Sequence, residues 1–225
     1  MAATPVAAPR VVGVLFGVAL GLVITLLGPL ALFNPLFTSV LQARHDVPAA
    51  FETSRAEVDR VTTEILVDLY LDGEFEAAFE GREPLLDARE RSHMHDVARL
   101  VRLLALTTIL AVVVAIVCAR VLRREPVRRG RIMVFAAAGV GVAAVILAVI
   151  FAVAFEPAFL AFHAIFFPPD SYLFAPGSNL ITLFPEPFWF DATLAAGGAI
   201  VGTALVLAAI GWTRSRSART TPAGP

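Results

Sequence analysis

Three histidines and one aspartate carry the chemistry that this sequence can offer. His93, His95 and Asp96 stand in the run Arg91-Ser92-His93-Met94-His95-Asp96-Val97, and His163 stands in Phe162-His163-Ala164-Ile165-Phe166-Phe167. If the first run is helical, Asp96 lies at i+3 from His93 and shares its face, while His95 is rotated by ~200° and points elsewhere. A histidine beside a carboxylate is held in one tautomer and is stabilised when protonated, which suits general acid and base work. Joint chelation of a metal by His93 and His95 would instead need an extended backbone, and a merely polar outer surface is the third reading. His45 stands apart from both runs.

Other nucleophile and cofactor signals are missing. The chain has no Gly-x-Ser-x-Gly, no phosphate-binding glycine loop, no His-Glu-x-x-His and no CxxC pair, so no cofactor is implied. Its one cysteine, Cys118, cannot form a disulfide within the chain and reads as a small apolar filler. No basic face suggests a nucleic-acid partner.

The elements that must position the histidines are membrane spans. Apolar runs at about 11–33, 103–122, 132–155 and 189–212 are each long enough for the ~20 residues that cross ~30 Å of hydrocarbon. With 58% hydrophobic and 16% charged residues, the 225-residue chain reads as one all-α integral membrane domain of four transmembrane helices. The first run is too long for the apolar region of a signal peptide, and it is read as a retained helix.

Charge sets the expected topology. The loop between the second and third spans, 123–131 with the adjoining Arg120, carries Arg120, Arg123, Arg124, Arg128, Arg129 and Arg131 against Glu125 alone. Arg10 precedes the first span, and Arg214, Arg216 and Arg219 follow the last. The expectation is a multi-pass protein of the cell membrane with both termini and this loop in the cytoplasm. Segments 34–98 and 156–188 then lie outside, the first with fourteen of the nineteen acidic residues. Arg99 and Arg102 should sit at headgroup depth, able to reach lipid phosphates and to support a site there.

The outer segments have structure of their own. Ser54-Arg55-Ala56-Glu57 matches a capping box, and Val58, Val61, Ile65 and Leu69 repeat at helical spacing, predicting an amphipathic helix to about Leu71. A second short amphipathic helix is expected over Phe75 to Phe79. The second outer segment, with six prolines, Tyr172, Trp189 and many phenylalanines, suits the membrane interface. Gly13, Gly17 and Gly21 in the first span, and Gly198 with Gly202 in the last, read as faces for close helix approach.

These motifs in order carry a resemblance. His93-Met94-x-Asp96-Val97 leading into a span, then Phe162-His163-x-x-Phe166-Phe167, Leu180-Ile181 and Phe184-Pro185, resemble the lipoprotein intramolecular transacylase (Lit) family of small four-span membrane proteins, over nearly the whole chain. The resemblance implies transfer of the sn-2 acyl chain of a diacylglyceryl lipoprotein cysteine onto that cysteine's own α-amino group. It also implies that His93 and His163 are catalytic and that diacylglyceryl lipoproteins, within membrane lipid, are the partners. Asp96, Arg99 and Arg102 would support them, and Phe162, Phe166, Phe167 and Tyr172 would line the acyl groove. The rival is a non-catalytic four-span protein that binds lipid or a partner protein through its outer segments.

Overall fold

The computed structural model describes residues 9–220, with side chains described through residue 216, so the side chain of Arg219 falls outside the described residues. In chain order the helices are α1 (Arg10–Leu32), α2 (Pro35–Arg44), α3 (Val47–Ala50), α4 (Arg55–Leu71), α5 (Ala88–Val121), α6 (Pro126–Val153), α7 (Phe155–Phe166), α8 (Asn179–Leu183) and α9 (Glu186–Thr220). Four of them, α1, α5, α6 and α9, are long and apolar enough to cross a membrane, and the protein is an all-α membrane protein. Among the described residues two compact units share the long helices: those up to 28, with 106–146 and those from 197 on, form one, and residues 29–105 and 147–196 form the other.

The first unit is the span-bearing one. Phe16, Ala19 and Leu20 of α1 pack with Ala115 and Cys118 of α5, Leu122, and Met133 of α6, and Cys118 is a buried free thiol in this cluster. Ile24, Ala137 and Ala204 form a second cluster of small and branched side chains. The glycine face of α1 is used as its spacing implies: a Cβ on Gly17 would meet the Ile132 side chain at 3.4 Å, and one on Gly13 would meet the Arg128 guanidinium at 2.9 Å. Gly198 and Gly202 are not a contact face, for nothing lies within 4 Å of a Cβ on either. The close glycine crossing of the last span falls instead on Gly211, where an added Cβ would meet the Gly130 carbonyl oxygen of α6 at 2.7 Å. Small residues at such a crossing let the two backbones touch, and dispersion between them replaces contact with lipid.

The second unit has a core of its own, centred on α4. Ser54 caps that helix by accepting from the Glu57 amide at 3.2 Å, and Asp72 closes it in the left-handed region at φ 60°. Only half of the capping box is made, because the Glu57 carboxylate turns to Arg60 and to the Glu80 amide; these bonds hold Glu57 down to about 2. Val58, Val61, Ile65 and Leu69 are all buried to 1% exposure or less, and each contributes on the order of 2 kcal/mol of burial. The stretch Phe75 to Phe79 corrects the expectation of a helix: it is non-helical, with Phe75 in the left-handed region at φ 56° and one antiparallel bridge between Ala78 and Pro84. Phe75, Ala77 and Phe79 are buried while Glu74, Glu76 and Glu80 are exposed, a period of two that seats three apolar side chains on one side of a strand. Buried Gln42 of α2 donates to the Leu183 carbonyl of α8 at 3.1 Å and accepts from Thr62 of α4 at 3.1 Å, so no polar atom of its amide carbonyl is left bare.

Proline sets the ends of the aromatic segment. Alanine 154 breaks the line between α6 and α7 at φ −142°, and Pro157 follows inside the first turn of α7, where its missing N–H costs no helical bond. Pro185 and Pro187 do the same at the start of α9. Between them the chain runs as α7, an irregular stretch over 167–178, and α8.

Candidate active site

His93 sits in the second turn of α5 and His163 three residues before the end of α7, and the second unit brings them together. Their ring centroids are 6.1 Å apart with planes 26° from parallel. Phe167 lies edge-on to His93 at 5.0 Å and Phe174 at 5.5 Å, while Phe159, Tyr172 and Phe162 surround His163 at 4.2, 5.2 and 5.4 Å. Phe162 in turn lies tilted against Phe166 at 4.9 Å, and both of these side chains are partly open to the surroundings at the rim. Aromatic faces on nearly every side make a low-dielectric enclosure about two titratable rings.

The four imidazole nitrogens are not equivalent. His163 Nδ1 bonds to the Phe159 carbonyl oxygen at 2.8 Å. A carbonyl only accepts, so Nδ1 carries the proton and Nε2 keeps its lone pair. Burial pushes the His163 imidazole below its ordinary value of 6.5, with the bond to Phe159 opposing the shift. His93 is only 6% exposed, and its Nδ1 is buried with no hydrogen-bond partner. An orphaned polar atom in such a place costs free energy until something pairs with it.

Asp96 does not make the pair that its spacing offered to His93. Its carboxylate accepts from Arg99, one turn further along α5. Arg102 pairs with Asp72 at 2.7 Å, so both arginines expected at headgroup depth engage carboxylates of the protein. His95 is turned away from His93, as helical rotation requires, and lies edge-on to Phe75 at 5.1 Å. His45 joins a separate pair with Asp191 at 3.0 Å, flanked by Arg44 at 3.2 Å. Among the described residues no three His, Cys, Asp or Glu side chains converge as a metal site.

Two residues of the enclosure were not anticipated. Glu90, 1% exposed and one turn before His93, accepts from the Asp87 amide at 2.8 Å and from the Leu180 amide at 2.8 Å. One carboxylate thereby caps the first turns of both α5 and α8, replacing Ser178, whose hydroxyl makes no cap. Asn179 reinforces the junction by donating to the Leu85 carbonyl at 2.6 Å. Phe174 is the second: Arg89 stands 5.6 Å over its ring and donates to the Asp170 carbonyl at 2.6 Å, fixing the irregular stretch against α5. The sequence placed a Glu at i−3 from His93 on the same face, but only the docking of α8 makes it a buried group.

Comparison with known proteins adds the lineage. A search of curated proteins by sequence finds no match. Among solved structures, the chain is similar to the membrane-integral lipoprotein intramolecular transacylase Lit from Bacillus cereus, with a TM-score of 0.80, 16% identity, and coverage of 94% of this chain and 98% of that one. A histidine-to-arginine variant of the same protein matches with a TM-score of 0.77 at 15% identity, over 95% of this chain and 94% of that one. A histidine-to-alanine variant also gives 0.77 at 15% identity, over 94% and 96%. At such identity the likeness is one of fold. The family model for lipoprotein intramolecular transacylase Lit matches residues 12–189, most of the chain, and the protein belongs to that family.

Proposed function

We propose that this protein is an intramolecular lipoprotein transacylase that moves the sn-2 acyl chain of a diacylglyceryl-modified cysteine onto its own α-amino group. The observation that carries the reading is the His93–His163 pair, brought from elements seventy residues apart to a ring separation of 6.1 Å inside an aromatic enclosure. His163 Nε2, with its lone pair free, takes the proton of the attacking amine. The amide C–N bond forms as the ester C–O bond breaks, and the proton taken from nitrogen passes through the histidine pair, leaving both imidazoles as they began, and reaches the glycerol oxygen by way of His93. Its unpartnered Nδ1 supplies that contact, which satisfies the buried atom only when substrate is present.

No nucleophilic serine or cysteine is needed, because amine and ester belong to one molecule. Holding them in reacting geometry can be worth several kcal/mol. Phe162, Phe166, Phe167 and Tyr172 offer apolar walls for the acyl chains, and the site faces outward, with both termini in the cytoplasm. Asp96 supports at one remove, by its bond to Arg99. Expression in a host lacking lipoprotein N-acylation, with the N-terminal lipopeptide determined by mass spectrometry, tests the activity. An N-acyl, S-monoacylglyceryl product is expected, and an unchanged diacylglyceryl peptide with a free amine would refute it.

A further inference from the structure

Within the span-bearing unit, α5 ends at Val121, a 3-10 turn covers Leu122–Arg124, and α6 begins at Pro126. An open groove of about 620 Å³ lies along this turn. Arg124, Arg128, Arg131 and Glu125 give it three guanidinium groups against one carboxylate, and Ile132 and Phe135 form its apolar wall. Glu125 is engaged by Arg128 at 2.8 Å. Arg124 and Arg131 are exposed and, among the described residues, have no ion-pair partner.

The order of these side chains along α6 matters. Arg131 and Phe135 are four residues apart and share a face, with Phe135 ~6 Å further along the helix. Phe135 is 75% exposed. The groove is therefore cationic where the helix begins and apolar one turn deeper. A small soluble anion would leave the apolar wall bare, and a purely apolar ligand would leave two guanidinium groups unpaired. A phosphodiester carrying acyl chains meets both halves, and a guanidinium fork binds phosphate oxygens two at a time. The surrounding bilayer supplies such molecules with their phosphates at the ends of the spans.

We propose that this groove binds an anionic phospholipid, its phosphodiester on Arg124 and Arg131 and one acyl chain along Ile132 and Phe135. The test uses the full-length protein purified in a neutral detergent, followed by thermal unfolding with added phosphatidylglycerol, with phosphatidylcholine of the same chains, or with glycerophosphoglycerol, the head without chains. Phosphatidylglycerol should raise the Tm by about 3 °C more than phosphatidylcholine does, as binding to the folded state alone requires. The double variant Arg124→Gln/Arg131→Gln should erase that difference, while Arg216→Gln, a cation outside the groove, should keep it. Phe135→Ala should weaken the apparent affinity for phosphatidylglycerol about tenfold. Equal shifts by the two lipids, a full shift by the chain-free head, or a double variant that keeps the difference would each overturn the site. Native mass spectrometry of the wild type gives a second reading free of any folding defect in the variants: phosphatidylglycerol should be retained over phosphatidylcholine, and equal retention would also overturn it.

Discussion

The Glu90 carboxylate and the Leu180 amide lie ninety residues apart in the chain and 2.8 Å apart in space. With its other oxygen on the Asp87 amide, the same side chain ties the start of the His93 helix to the start of α8. Glu90→Ala should strand two amides and destabilise the protein by about 2–6 kcal/mol, at 1–3 kcal/mol for each buried group left unpaired. Glu90→Gln keeps one carbonyl oxygen but turns an NH2 toward the other amide, and should lose about half as much. Thermal unfolding in detergent separates the two, and equal losses would show that only one of the bonds matters.

The two histidines should fail alike. His93→Ala and His163→Ala are each expected to lower the yield of lyso-form lipopeptide by roughly 10²-fold or more, the range for a lost acid or base. The double variant should be little worse than either single one, because the groups act as a unit. His95→Ala should be mild, since its ring packs against Phe75 on another face. Mass-spectrometric quantification of the lipopeptide checks all four, and multiplicative losses in the double variant would argue against a shared proton path.

Burial of His163 sets the sign of a pH effect. Its folded imidazole lies below the ordinary 6.5, so the neutral base persists as pH falls through that value. The acid limb of the activity profile should therefore lie below pH 6.5. Stability runs the other way: the unfolded chain binds the proton first, so the folded state loses stability as pH drops below about 6.5. Burial holds the His93 imidazole lower still, at about 4, and adds a slope of the same sign. Replacing His163 with Phe should therefore reduce the slope of unfolding curves measured between pH 7 and pH 5, and replacing both histidines should remove it.

Glycine substitutions should sort by what a Cβ meets. Gly130→Ala would place a methyl 2.4 Å from the Gly211 carbonyl and should destabilise by about 1–3 kcal/mol. Gly17→Leu should also destabilise, since its face meets Ile132. Gly198→Ala, with open space around it, should be neutral or slightly stabilising through helix propensity. Tm values of the three variants in one detergent decide the ranking.

The proposed topology is open to a labelling test. Cysteines placed at exposed Glu80 and Ala175 should react in intact cells with an impermeant thiol reagent, while one at exposed Arg123 should react only after permeabilisation. Native Cys118 is buried and should stay silent. Reaction at Arg123→Cys in intact cells would invert the orientation and move the site to the other face.

Local signals in the sequence led to local structure. The Ser54 cap, the Val58-to-Leu69 stripe and the Gly17 contact are set by neighbours within a few residues or by one helix face, and all three were legible. The non-helical Phe75–Phe79 stretch was not, because five residues with apolar side chains at alternate positions fit a short helix or a strand equally until the rest of the unit offers them a core. Asp96 illustrates a different failure. Spacing brought it to the face of His93, yet Arg99 at i+3 competes for the same carboxylate and has the stronger claim as a permanent cation. The Gly130–Gly211 crossing and the Glu90 bond needed the packing of distant helices, which one sequence does not display.

The bond from Gln42 to the Leu183 carbonyl joins partners 141 residues apart. A chain made from its N-terminus therefore inserts three of its spans before the buried amide of Gln42 finds its acceptor. Until then α2 and α4 have each other but lack α8, and closure of the second unit comes late in synthesis, with the loop-closure cost of a long sequence separation. His93 and His163 both lie within that interval, so the pair proposed to carry the chemistry is made before the contact that closes the unit around it.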